Sequence, residues 1–214
     1  IVSPYIYEGF SVNLNAIIGS QNTVLLPISL QLSERNKERI LYHGADYIAA
    51  SAISENIITK LNDYANVILM HIKQLGYLGI IGLDFLITKD EIYFLEANPR
   101  YQASSFLINM ALAEKGFSSL SKMNLTAFYK QCYLDTNVEK ITVDYSFYKY
   151  LYFNNSKHLY HVFQKAVSDK YVKQVVTDGW NSQLPTEHDA YCYSIIFKTN
   201  IASINPDFRC DIYS

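Results

Sequence analysis

Between residues 54 and 75 the apolar positions recur at intervals of three and four: Ile57, Leu61, Tyr64, Ala65, Ile68, Ile72 and Leu75. That spacing lines one face of an α-helix, with Ser54 placed to cap its start and Gly76 to end it. Elsewhere the period is two. Val12, Leu14 and Ala16 alternate with Ser11, Asn13 and Asn15, which predicts a strand over 11–19. A second strand over 23–31 follows across the turn-rich Gly19-Ser20-Gln21-Asn22. The charged stretch from Ser33 to Tyr42 reads as an exposed loop or a short helix. Phe106 to Lys115 reads as a helix capped by Ser104 or Ser105 and stopped by Gly116. Beyond residue 120 a strand is expected over Ile141–Phe153, a helix over Ser156–Lys173, a turn at Asp178-Gly179 and a strand over Ala190–Phe197. The expected fold class is α+β. An antiparallel sheet packed with helices fills residues 1–120, and a smaller accessory α+β subdomain fills 121–214.

The most apolar segment, GIIGLDFLITKDEIYFLEANPR over 79–100, carries two isolated acids, Asp84 and Glu96. An ionised carboxylate among such neighbours is costly unless its charge is compensated. The short connection predicts an antiparallel hairpin with a loop of Lys89, Asp90 and Glu91, which sets Asp84 opposite Glu96. Alternation then puts Asp84, Glu96 and Asn98 on one face, opposite the 54–75 helix. Directly opposed Cβ atoms lie about 4.5–5.5 Å apart, close enough for both acids to share a divalent cation. Hard oxygen ligands suit Mg²⁺. Pro99 holds Asn98 extended beside Glu96, and Arg100 offers a guanidinium to phosphoryl or carboxylate oxygens. The alternative is a half-exposed hairpin whose polar face is acidic, or one that binds a cation for structure alone.

Composition narrows the classes. The chain has 214 residues, half of them hydrophobic and 18% charged, as in a folded globular protein. Lys and Arg total 18 against 20 acids, so no basic excess draws in nucleic acid or a membrane surface. The longest apolar runs are too short to span a bilayer. Cys132, Cys192 and Cys210, an odd number at wide spacing, suit reduced thiols in a cytoplasmic protein. The chain opens at Ile1-Val2 on a strand-like pattern, which reads as a fragment cut from a longer polypeptide.

Gly82-Leu83-Asp84-Phe85 followed by Glu96-Ala97-Asn98-Pro99-Arg100 resembles the metal-binding strands of the ATP-grasp superfamily, over roughly residues 1–116. The resemblance implies an ATP-dependent ligase that joins a carboxylate to an amine or a thiol through an acyl phosphate, with Mg-ATP. It implies Asp84, Glu96 and Asn98 as metal ligands and Arg100 as the catalytic residue on the transferring group. It puts the nucleotide near Val2, Ser3, Pro4 and Tyr5, with Phe94 and Glu96. The expected partners are small carboxylate and amine substrates, and a homodimer is possible. Two positions depart from the family pattern. Ser3 and Pro4 stand where an acid commonly holds the ribose, and Ser11 stands where Glu is frequent. The family's Gly-rich loop and phosphate-binding lysine would precede Ile1, so the fragment alone is expected to be inactive. An inactive nucleotide-sensing or scaffold module is the competing reading.

Weaker signals have plainer explanations. Tyr101 to Ser105 precede a helix whose N-terminus favours anions, so they read either as a capped loop or as a substrate or phosphate contact. His158 and His161 lack the further ligands of a zinc site. The tyrosines from Tyr145 to Tyr152 lack a basic groove for nucleic acid and are expected to pack against the sheet. Glu187-His188-Asp189 cannot converge on one strand.

Overall fold

The computed structural model describes residues 6, 8–36, 39–151, 156–177 and 191–213. β1 (Phe10–Ile18) turns through Gly19–Asn22, where Gly19 N donates to Asn22 O at 2.9 Å, into β2 (Thr23–Asn36). β2 pairs with β3 (Arg39–Asp46), which leads into the single turn α1 (Tyr47–Ala50) and then α2 (Glu55–Gln74). The hairpin β4 (Gly79–Ile87) and β5 (Ile92–Asn98) comes next, followed by α3 (Ser105–Glu114) and α4 (Leu120–Thr126). The remaining elements are a 3-10 helix (Thr136–Lys140), β6 (Ser146–Leu151), α5 (Ser156–Ser168), β7 (Val172–Thr177), β8 (Tyr191–Phe197) and a small hairpin of β9 (Ala202–Ile204) with β10 (Cys210–Ile212).

Eight of these strands form one antiparallel sheet in the order β5-β4-β1-β2-β3-β6-β8-β7. The α+β class expected from the sequence is the one observed. β6, β8 and β7, all beyond residue 120, continue the sheet begun by β1, and only the β9–β10 hairpin stands apart from it.

The sheet is covered on both faces. On one, Val12, Leu14, Ala16, Ile81, Leu83 and Phe85 pack against Leu61, Ala65 and Leu69 of α2. Burying each such leucine contributes roughly 1.5–3 kcal/mol. On the other, Ile17, Ile80 and Phe147 meet Leu107, Ile108 and Ala111 of α3. A third, smaller core of Leu159, Ala166, Cys192, Tyr193 and Ile195 lies toward the β7 end. There the tyrosines pack as expected, with Tyr148 on Tyr150 and Tyr150 on Tyr193, each pair with centroids 4.9 Å apart.

Local departures have identifiable causes. The described residues of the 33–42 segment are strand rather than loop or helix: Ser33 pairs with Tyr42 and Glu34 with Leu41 as β2 and β3 run on past the sheet body. Ser33, Glu34 and Ile40 are exposed there, so polar side chains fit a strand whose backbone is already paired. On α2 the buried stripe is Leu61, Ala65 and Leu69, whereas Leu75 is 87% exposed because Gly76, at φ +91°, ends the helix. Ser54 holds the N-cap position in extended conformation, but its side chain makes no capping bond. The helix expected over 156–173 stops at Ser168, where Asp169 Oδ1 accepts from Tyr171 N at 2.8 Å and turns the chain into β7. Ile141 and Val143 join the core ahead of β6 rather than a strand. The Asp178-Gly179 turn and Glu187-His188-Asp189 lie outside the described residues. Among the described residues no helix is long and apolar enough to cross a membrane.

Candidate functional site

Asp84 and Glu96 face each other across β4 and β5, but not by the expected route. The connection is a turn of Thr88, Lys89, Asp90 and Glu91, in which Thr88 N donates to Glu91 O at 2.9 Å and Glu91 N donates to Thr88 Oγ1 at 3.0 Å. Ile87 therefore pairs with Ile92, Leu86 with Tyr93 and Phe85 with Phe94. Continued unchanged, that register would set Asp84 opposite Leu95. A bulge absorbs Leu95 and returns Asp84 to Glu96. Bulges re-aim side chains in this way and concentrate near active sites. The same bulge separates Phe94 from Glu96. Phe94 packs on Phe85, on the α2 face, with ring centroids 5.6 Å apart. Glu96 stays with Asp84 on the opposite face.

Asp84 is 7% exposed, and among the described residues no Lys, Arg or His forms an ion pair with it or with Glu96. Its charge is met by carboxamides. Asn13 Nδ2 donates to Oδ1 at 2.6 Å, Gln31 Nε2 donates to the same oxygen at 2.7 Å, and Asn98 Nδ2 donates to Oδ2 at 2.9 Å. Burial pushes the Asp84 pKa up, the Asn13 bond opposes that, and the nearby Glu96 charge adds to the rise. Asn98 Nδ2 also donates to Glu96 Oε1 at 2.8 Å, so one nitrogen bridges both acids.

Asn13 and Asn15 look, from alternation alone, like the polar face of a half-exposed strand. They are 3% and 0% exposed. Two asparagines at i and i+2 in a strand interior, where Asn is disfavoured, are the signal that could have marked them. Gln31 offered no such signal.

The residues after Pro99 fold back over the same face. Arg100 N donates to Asn98 O at 2.7 Å, which keeps Arg100 next to the acids in the chain. Its guanidinium is exposed and donates to Tyr101 O at 3.2 Å. The Gln102 side chain lies over Gly82, where an added Cβ would overlap it. Gly82 is thus small because a side chain from the next segment takes its space. Gln102 Nε2 is buried with no hydrogen-bond partner among the described residues. Neither Ser104 nor Ser105 caps α3 by its side chain. Ser105 Oγ instead accepts from Gln102 N at 2.9 Å and donates to Asn15 Oδ1 at 3.0 Å. Val2, Ser3, Pro4 and Tyr5 lie outside the described residues.

Among the described residues no group of three or more His, Cys, Asp or Glu could hold a metal. A cation here would rest on two carboxylates, one carboxamide and non-protein oxygens. That donor set matches the habit of Mg²⁺, which takes one or two carboxylates and fills its shell with water and phosphate. The Asn98 nitrogen lies where Asp84 Oδ2 and Glu96 Oε1 converge. Turning that carboxamide over would present its oxygen instead. The residues fit the ion.

No curated protein matches the sequence. A family model described as ATP-grasp domain matches residues 1–104. The fold resembles N5-carboxyaminoimidazole ribonucleotide synthetase in its ADP complex, with TM-score 0.62 and 18% identity over 90% of this chain and 45% of that one. The enzyme of the same name from Thermus thermophilus gives 0.58 and 16%, over 90% and 47%. The ATP-complexed synthase from Aspergillus clavatus gives 0.64 and 12%, over 90% and 46%. At such identities the likeness is one of fold, and the chain spans less than half the length of these structures. Sequence match and fold agree: residues 1–104 match the ATP-grasp domain model, and the chain shares the fold of these solved structures.

Proposed function

We propose that the chain supplies the cation- and phosphate-handling part of an ATP-dependent ligase that joins a carboxylate to an amine or a thiol. The observation that carries this reading is the convergence of Asp84 Oδ2 and Glu96 Oε1 on a single Asn98 nitrogen. Asp84, Glu96 and Asn98 would hold Mg²⁺, which when bound neutralises charge on the transferring phosphoryl group. Arg100, exposed beside them, is free to take phosphoryl or carboxylate oxygens. Gln102 Nε2, buried without a partner, offers a further donor on the same face.

In the proposed reaction a substrate carboxylate oxygen attacks the γ-phosphorus of ATP, and ADP leaves with the electrons of the broken P–O bond. The nucleophile then attacks the acyl carbon, phosphate leaves, and the nucleophile's proton passes to solvent. These steps ask the protein for positioning and charge neutralisation more than for covalent chemistry. Val2, Ser3, Pro4 and Tyr5 are proposed for adenine, through backbone groups, and Glu96 for the nucleotide's metal-bound phosphates. Phe94 would meet the nucleotide only from the other face of β5.

The test is Mg²⁺-dependent phosphate release from ATP by the complete polypeptide, Gly-rich loop and phosphate-binding lysine included, with candidate acids and amines, comparing wild type with Glu96→Gln. A loss of turnover of about a hundredfold or more supports the reading. Normal turnover by Glu96→Gln at low Mg²⁺ overturns it. Binding of Mg-ATP without phosphate release by the wild type would identify a nucleotide-sensing module instead.

A further inference from the structure

Asp84 is not a bare ligand. Its two oxygens are treated differently by the fold. Oδ1 points back into the sheet and accepts two carboxamide donors, Asn13 from β1 and Gln31 from β2. Oδ2 points toward β5, where it accepts from the bridging Asn98 and the Glu96 carboxylate lies close by. Behind Oδ1 the polar chain continues. Asn15 Nδ2 donates to Asn13 Oδ1 at 2.7 Å, Ser105 Oγ donates to Asn15 Oδ1 at 3.0 Å, and Gln102 N donates to Ser105 Oγ at 2.9 Å. Every donor in this series points toward the acid. Chains of aligned hydrogen bonds strengthen one another in a low-dielectric interior, and Asn13, Asn15 and Ser105 are all buried.

We infer that Asn13 and Gln31 are positioning residues of the cation site: by occupying Asp84 Oδ1 they leave Oδ2 as the one oxygen free to ligate. The Ser105–Asn15–Asn13 relay ties that orientation to the segment carrying Arg100 and Gln102, so the acid and the substrate side of the site are set together. This rests on the cation reading above and adds to it a monodentate Asp84 of stated orientation. Partners behind a ligand commonly hold its geometry, and losing one typically weakens metal affinity about 10–100-fold.

The experiment is Mn²⁺ binding by electron paramagnetic resonance on the whole chain, with side-chain amide NMR across a Mg²⁺ titration. Gln31→Met keeps the shape and removes the donor. Asn13→Ala removes the second donor. About tenfold weaker Mn²⁺ binding in Gln31→Met, at an unchanged melting temperature, is the expected result. On Mg²⁺ addition the Asn98 carboxamide signals should move while those of Asn13 and Gln31 stay in place. Wild-type affinity in Gln31→Met overturns the inference, as does release of the Asn13 and Gln31 carboxamides by Mg²⁺. If Asn13→Ala does not fold, Gln31→Met decides alone. A wild-type chain that binds no Mn²⁺ overturns the cation site itself, an outcome distinct from undiminished binding by the variants.

Discussion

Among the described residues two aspartates, Asp46 and Asp84, are buried, and the fold satisfies them in different ways. Asp46 is 0% exposed, and its acceptors are spent on backbone: Oδ1 takes Ala49 N at 2.8 Å, and Oδ2 takes Ile201 N at 2.6 Å and Ala202 N at 3.1 Å. Asp84 is served by three side-chain carboxamides. Burial raises the pKa of both. A backbone amide cannot turn away without moving the chain, so Asp46 is a staple between the start of α1 and β9. A carboxamide can rotate and offer oxygen in place of nitrogen. Of the donors to Asp84, Asn98 lies on the edge strand β5, whereas Asn13 lies on β1, between β4 and β2. The comparison teaches that the donor's freedom, more than the acid's burial, separates a structural carboxylate from one fit to exchange partners.

The largest expected effect breaks the staple. Asp46→Ala leaves three buried N–H groups without acceptors and should cost about 3–5 kcal/mol of stability, read from denaturant melts. Faster hydrogen exchange at Ile201 and Ala202 should accompany it. Unchanged exchange there would mean that packing alone holds β9.

Asp84→Asn should do far less to the fold. The new side chain can still accept from Asn13 and Gln31 through its oxygen, and its nitrogen can donate to Asn98 Oδ1 once that carboxamide turns over, so stability should stay within about 1 kcal/mol. Mg²⁺ binding, followed by calorimetry, should be lost. A collapse as large as that of Asp46→Ala would erase the contrast between the two acids.

Glu96→Gln removes one of two opposed like charges from an exposed position. We expect a gain of roughly 0.2–1 kcal/mol in the melt, with weakened Mg²⁺ binding. A loss of stability would mean that Glu96 holds Asn98 in place more than it repels Asp84.

The smallest effect is in pH. Because the Asp46 pKa is raised, the native state keeps that proton longer than the unfolded chain does. The stabilisation is full below about pH 4, the unfolded value, and is lost as pH rises through the raised native pKa. Asp46→Asn should remove part of that decline, measured as stability against pH. An equally steep decline in the variant would assign the slope to other carboxyls, Asp84 first among them.

Much of the architecture was legible because it is local. The three- and four-residue spacing of Ile57, Leu61, Ala65 and Ile68 gave α2, and Gly19–Asn22 between alternating runs gave the β1–β2 turn. The charge of the 33–42 segment points to a loop or a short helix, but pairing of backbone groups, not composition, decides a strand that runs beyond the core. The Asp84–Glu96 pairing was reached for an incomplete reason. The turn holds one residue more than expected, and the bulge at Leu95 compensates for it. The two differences cancel for Asp84 and Glu96, but not for Phe94, which a regular strand would have put beside Glu96.

By itself the sequence determined α2, α3, the hairpin and the ordered set Asp84, Glu96, Asn98 and Arg100, because periodicity and motif spacing act over a few residues. Only the tertiary structure decided what compensates the buried charge. Asn13 lies 71 residues from Asp84 and Gln31 lies 53 from it, while Asp46 meets Ile201 across 155. Such partners are chosen by strand order and register, and a shift of one residue turns every side chain to the other face.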